Sequence, residues 1–168
     1  LAAEHAVRLN VAALPFAKGF RTADGKCDLS GETLAYVPPL ESRLGALASE
    51  QFPLELVSSK SHDSMNSTFG YRDETRAQTS ILQIHPDDAA GRGIVDGAPV
   101  RVFNARGAVT LTARVGDGVR RGVVRAPSVA WGESVNVLIA DRLTDIGGGP
   151  TFYSCLVQVE PAGARGEL

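Results

Sequence analysis

Residues 80–115 read SILQIHPDDAAGRGIVDGAPVRVFNARGAVTLTARV. SILQIH at 80–85 alternates apolar and polar residues, as a half-buried strand does. PDDAAGRG at 86–93 predicts one short helix. Pro86 suits a first helical turn, Asp87 and Asp88 suit its positive end, and Gly91 or Gly93 stops it. IVDGAPVRVFN at 94–104 reads as a turn at Asp96–Gly97 followed by a strand through Val100 and Val102. ARG at 105–107 is a tight turn. AVTLTARV at 108–115 has the cleanest alternation in the chain. A strand, a short helix and two more strands in this order permit a crossover and some parallel pairing.

The flanks extend the same pattern. Upstream, PLELVSS predicts a strand over 54–59. A polar stretch follows, KSHDSMNSTFGYRDETRAQ at 60–78, and reads as one long loop. Loops that long in compact domains are usually functional or mobile. Downstream, GDGVRRG at 116–122 is a turn region and VVRAP at 123–127 a strand. Residues 128–152 form a second long connection with a short helical turn near 135–143. YSCLVQVEP at 153–161 is the final strand. About six short strands, one helix and Gly-rich turns favour a mainly β small closed barrel over a doubly wound sheet.

The first 50 residues look irregular, with turn-like TADGK at 22–26, DLSGE at 28–32 and VPP at 37–39. LESRLGALASE at 40–50 predicts a short helix weakened by Gly45. The stretch reads as an extended connector or, on composition alone, as a disordered tag-like arm. The expected organisation is an arm over 1–50, a barrel over 51–161 and a tail over 162–168. The chain opens at Leu1 with its one methionine at Met65, and reads as an excised segment of a longer polypeptide.

The 168 residues carry 17 Lys and Arg against 19 Asp and Glu, a formal charge of −2. So nearly neutral a chain is not steered to nucleic acid or an anionic membrane by its field. No apolar run approaches the roughly 20 residues of a membrane span. Cys27 and Cys155 form no C-x-x-C pair, and His5, His62 and His85 are scattered, so no metal site is expected within the segment.

One stretch is rich in donors: Ser58, Ser59, Lys60, Ser61, His62, Asp63, Ser64, Asn66, Ser67 and Thr68. Lys60 offers a point charge to a phosphate, and Asn66 a donor and an acceptor to a heterocycle edge. Asp63 could accept from a guanine edge. The bland reading is a solvated loop held by Ser and Asn turns.

Several segments taken in order resemble the C-terminal dinucleotide-binding domain of the molybdopterin oxidoreductases, the group of dimethyl sulfoxide reductase and formate dehydrogenase. They are LVSSKSHDSMNSTF at 56–69, ILQIHPDDAAGRGIVDGAPVRVFNARG at 81–107, GVVRAP at 122–127 and NVLIADRLTDIGGGPTFYSCLVQVEP at 136–161. PFAKGFRTADGKCDLSGETL at 15–34 resembles the connector leading into that domain. The resemblance implies a six-stranded double-psi β-barrel with short helices and an irregular N-terminal arm. It implies a segment that binds molybdopterin guanine dinucleotide, in the bis form with molybdenum or tungsten, and works with the remaining domains of a parent oxidoreductase. Catalytic residues, the metal ligand and any iron–sulfur cysteines would lie in those other domains.

The resemblance carries Lys60, Asn66, Ser67 and Thr68 over as cofactor contacts, and Asn136 as a contact near the pterin end. Ser59, Ser61, His62, Asp63 and Ser64 belong to the same expected site. Phe152 and Tyr153 open the last strand, where the family often places a contact. Other branches carry a lysine near that point and this chain does not. Trp131 stacks on a ring or plugs the barrel mouth. Gly147, Gly148 and Gly149 permit close backbone approach or simply a turn. Asp141, Arg142 and Asp145 read as an ion-pair cluster, with Arg142 also within the reach of a phosphate. His85 reads as a strand end packed on the helix start, Cys155 as buried and inert, and Cys27 as a bystander. The competing reading is a double-psi barrel used as a protein-interaction module, such as a substrate adaptor. It needs no polar loop and predicts an exposed apolar patch. A self-processing decarboxylase would need a Gly-Ser pair, which the chain lacks.

Overall fold

The computed structural model describes residues 16–29, 31, 35–60, 68–128, 134–144 and 147–163. The chain divides into two compact units, Leu1–Tyr36 and Val37–Leu168. In the described part of the first unit, TADGK turns as expected. Gly25 N donates to Thr22 O at 3.1 Å, with Gly25 at φ 69°. Neither helix nor strand occurs among its described residues.

The second unit contains six strands: β1 (Leu54–Ser59), β2 (Ile81–Ile84), β3 (Pro99–Phe103), β4 (Ala108–Val115), β5 (Val123–Pro127) and β6 (Leu156–Pro161). They close into a barrel in the order β1-β5-β2-β4-β3-β6. β1 pairs parallel with β5, and β2 parallel with β4. The other four pairs are antiparallel. Exchanging β1 with β4, β2 with β5 and β3 with β6 leaves this pattern of pairs unchanged. The barrel therefore has a two-fold pairing symmetry that the sequence does not display as a repeat. It is the double-psi barrel that the resemblance implies.

Strand alternation explains the core. Leu54, Leu56, Leu82, Ile84, Val100, Val102, Val109, Leu111, Val124, Val157 and Val159 all point inward and are buried. A strand places successive side chains on opposite faces, so each apolar position two residues on reaches the same interior. Burying each such side chain is worth roughly 1.5–3 kcal/mol.

Three expectations need correction. The helix over 40–50 does not form. Leu47 N donates back to Leu40 O at 2.9 Å, so the chain doubles on itself. A Cβ at Gly45 would lie 2.0 Å from Pro39 O, so the fold-back itself demands glycine there. The stretch 60–78 is not loop throughout, since it enters helix α1 (Asp73–Thr79). Its buried face is Thr75 and Thr79, one turn apart, and hydroxyls disguised that face as polar loop. The last strand begins at Leu156, because Ser154 N turns back to Thr151 O at 2.9 Å. The short helical turn expected near 135–143 is present as a 3-10 helix, Val135–Leu138. The helix after β2 is α2 (Pro86–Ala90), with Pro86 in its first turn. Its cap is His85, whose Nδ1 accepts from Asp87 N at 3.2 Å.

The strand directions assign every connection to one of two rims. Residues 60–80, 104–107 and 128–155 join strands at the rim where β1, β3 and β5 end. Residues 85–98 and 116–122 join strands at the opposite rim, where β2 and β4 end. Both long connections foreseen in the sequence thus leave from the same rim.

Candidate functional site

The register of β1 and β5 decides where the site lies. Ser59 pairs with Pro127 at the parallel strand ends, and Ser128 N donates to Ser59 O at 2.9 Å. The two long connections therefore start side by side. Parallel neighbours finish at one edge, and loops that leave parallel strand ends are well placed to bind a ligand between them.

Ser58 and Ser59 point opposite ways. Ser58 faces the barrel interior, is 2% exposed, and donates its hydroxyl to Phe152 O at 3.2 Å. That bond ties the stretch before β6 to the end of β1 and commits the Ser58 proton. Ser59 points outward, where its Oγ accepts from Arg125 Nε at 2.6 Å. Its own proton is donated to no acceptor among the described residues, and a hydroxyl can donate as well as accept. Arg125 also donates to Gln83 Oε1 at 3.3 Å and to Lys60 O at 3.5 Å. It thus bridges β1, β5 and β2 on the outer face and holds the first backbone carbonyl of the 60–80 connection. Lys60 is exposed and makes no ion pair among the described residues.

The expected site residues distribute as follows. Ser59, Lys60, Phe152 and Tyr153 all lie at or beside the end of β1. Thr68 is exposed where the described chain resumes. Next to it, Phe69 holds φ 62°, a left-handed conformation unusual for an aromatic residue, with the Arg72 guanidinium 4.4 Å over its ring. Ser61, His62, Asp63, Ser64, Asn66 and Ser67 lie outside the described residues, as do Trp131 and Asp145. Phe152 and Tyr153 pack together with ring centroids 4.3 Å apart. Tyr153 also lines an apolar groove of about 700 Å³ with Pro39, Leu40 and Leu143.

Asn136 lies on the second connection at the same rim. It is exposed on the 3-10 helix, and no hydrogen bond among the described residues joins its side chain to Ser59, Lys60, Phe152 or Tyr153. That helix is fixed instead to the β3–β4 turn. Leu138 O accepts from Asn104 Nδ2 at 2.8 Å and from Arg106 Nε at 2.7 Å. Arg106 forms a two-point pair with Glu41, and Glu41 Oε1 also accepts from Leu156 N at 3.0 Å. Burial alone would lower the Arg106 pKa, but the hydrogen bond and charge of Glu41 outweigh it and raise it. Burial pushes the neighbouring Cys155 thiol up to about 11, which leaves it protonated and unreactive. Gly147 and Gly148, at φ 84° and 61°, belong to a small hairpin closed by the Leu143–Pro150 bridge.

Sequence reasoning missed Arg125, reading VVRAP only as a strand. The available signal was a cation at an outward position of a strand that runs straight into a long loop. It also missed Glu41, placed in the arm, whose carboxylate is buried against β6.

Comparison with known proteins accords with this geometry. Residues 54–156 match the family described as molydopterin dinucleotide binding domain. The probable oxidoreductase YoaE of Bacillus subtilis (strain 168) is 38% identical over 149 residues, covering 83% of this chain and 22% of that protein. Dimethyl sulfoxide reductase DmsA of Escherichia coli (strain K12) is 35% identical over 136 residues, covering 74% of this chain and 17% of that protein. Acetylene hydratase from Pelobacter acetylenicus superimposes with a TM-score of 0.65 at 18% identity, over 76% of this chain and 21% of that one. At that identity the superposition speaks for the fold alone. The chain spans about a fifth of the length of these curated relatives.

Proposed function

We propose a function from one premise: the chain belongs to the family of molydopterin dinucleotide binding domains. It is a cofactor-binding domain of a molybdenum oxidoreductase and takes molybdopterin guanine dinucleotide. Within a longer parent enzyme, whose other domains are its partners, the rim where β1 and β5 end holds that dinucleotide. The observation that carries this placement is the pairing of Ser59 with Pro127, which starts two polar connections next to each other.

The residues at that rim suit the group chemically. A pyrophosphate needs positive charge and hydrogen-bond donors, and Lys60, Arg125 and the Ser59 hydroxyl offer them. Ser61, His62, Asp63, Ser64, Asn66, Ser67 and Thr68 continue the donor-rich run, and Asn136, Phe152 and Tyr153 are proposed contacts on the other connection. When bound, the metal carried by the pterin supplies the redox chemistry. This chain binds and orients the organic part and contributes no catalytic residue or metal ligand. Two dinucleotides sharing one molybdenum or tungsten ion is the expected form. A barrel serving only as a protein-interaction module is disfavoured, because the family match spans β1 to the start of β6.

The test replaces Lys60 by Gln and, separately, Asn66 by Ala in the full-length enzyme. Metal content and guanosine monophosphate released by acid hydrolysis are then measured per protein. Both should fall in both variants, and the unmodified enzyme should release two nucleotides per metal. Unchanged nucleotide and metal in both variants would overturn the placement.

A further inference from the structure

The arginines anchored by side-chain bonds among the described residues are of two kinds. Arg43, Arg92, Arg101 and Arg106 each face a carboxylate, from Glu55, Asp88, Glu160 and Glu41 respectively. Arg125 is anchored as firmly, yet all of its acceptors are neutral: a hydroxyl, an amide oxygen and a backbone carbonyl. No carboxylate among the described residues cancels its charge. Arg125 is half-buried, so it has also lost part of its water. Neutral dipoles replace that water only partly, which leaves the guanidinium best satisfied when an anion joins it. The next cation along the rim is Lys60, whose carbonyl Arg125 already holds.

We infer that Arg125 is the second cation of an anion subsite at this rim, taking a phosphate or pyrophosphate group together with Lys60 and the Ser59 hydroxyl. The inference rests on the dinucleotide reading and names the part of the dinucleotide that this face receives. Arg125 has two tasks in it. Its planar fork presents directed donors to phosphate oxygens, which a lysine in its place would not. Its bond to Lys60 O sets the angle at which the 60–80 connection leaves β1.

The probe is inorganic pyrophosphate, titrated calorimetrically into the full chain at two ionic strengths. Arg125→Gln is expected to weaken binding about tenfold or more, as loss of a charge-assisted bond does. It should also flatten the salt dependence, which a purely structural defect would not do. Arg125→Lys should recover part of the affinity. Arg101→Gln, which removes a charge already cancelled by Glu160, should leave it unchanged. If Arg125→Gln does not fold, Arg125→Met keeps the aliphatic stem and is judged by the same loss. Equal affinity in the wild type and the charge-removed variant, or no pyrophosphate binding by the wild type, overturns the subsite. A parallel arm measures nucleotide in the full-length enzyme. Loss with Lys60→Gln but full retention with Arg125→Gln overturns the subsite and leaves the dinucleotide reading standing. Arg125-dependent pyrophosphate binding in an enzyme that carries no guanine nucleotide supports the subsite and overturns the dinucleotide reading.

Discussion

At the rim where β2 and β4 end, carboxylates close the structure. Asp96 Oδ1 accepts from Val115 N at 2.8 Å, and Asp88 Oδ2 accepts from Gly122 N at 2.6 Å. Each takes up a backbone donor that the end of a strand would otherwise leave to water. The carboxylates of Asp88 and Asp96 are spent on the fold there. At the rim where β1 and β5 end, the order is reversed. There one cation is held by neutral groups, a lysine beside it is exposed, and two of the three connections are long, while the short β3–β4 turn is tied by the Arg106–Glu41 pair. The same pairing scheme, repeated by two-fold exchange, is finished by carboxylates at one rim and carries the proposed binding site at the other. What differs among Arg125, Asp88 and Asp96 is the sign of the charge and the kind of partner that holds it.

Four outcomes would sharpen or break that contrast. The largest effect is expected at Glu41, which anchors the edge of the binding rim. Glu41→Ala strands Arg106 and the Leu156 N–H, and should cost about 3–5 kcal/mol in chemical denaturation, as loss of one partner of a buried pair does. A loss below about 1 kcal/mol would mean that residues 37–50 are only an arm after all.

The next effect depends on pH. The Cys155 thiol is raised to about 11 in the folded state, from near 9 when free. Between those values the unfolded chain gives up a proton that the folded chain keeps. Stability is therefore full below about pH 9 and falls as pH climbs towards 11, by on the order of 2 kcal/mol. Cys155→Ala should lose that slope, and urea midpoints between pH 8 and 11 read it directly. At pH 8, alkylation should reach the exposed Cys27 and spare Cys155.

At the closed rim, Asp88→Ala leaves the Gly122 N–H without its acceptor and removes the carboxylate that faces Arg92, which keeps its bonds to Gln158 Oε1 and to the carbonyl of residue 88. A cost of about 2 kcal/mol is expected, with pyrophosphate affinity unchanged. An equal loss of affinity there would erase the division of labour between rims. The smallest stability effect belongs to Arg125→Gln, whose lost partners are all neutral. Its melting should move by less than about 1 kcal/mol while anion affinity collapses. Large destabilisation with intact affinity would make Arg125 a structural brace.

Much of the barrel was legible. The strands expected over 54–59, 108–115 and 123–127 form over those residues, the 108–115 strand being legible because a half-buried strand repeats with period two. The Pro86 helix start and the Asp96–Gly97 turn followed from local chemistry. α1 was hidden because its inward face is threonine, and the 40–50 fold-back because proximity to the Pro39 carbonyl is not a local property. Of the candidate site, the donor-rich run 58–68 was visible in the sequence as composition. Arg125 and Glu41 were not, since each matters only through partners distant in sequence, Arg125 through Gln83 and Ser59, and Glu41 through Arg106 and Leu156.

Taken alone, the sequence determined which residues become strands, where the turns fall, and which stretch is loaded with donors for an anionic, heterocyclic ligand. These are consequences of neighbours within a few positions, where period, propensity and side-chain chemistry act directly. Only the tertiary structure decided that β1 and β5 run parallel and finish together, so that both long connections leave one rim. It also decided which cations face a carboxylate. Strand order and charge pairing join residues far apart along the chain, and their energies exist only once the barrel has closed.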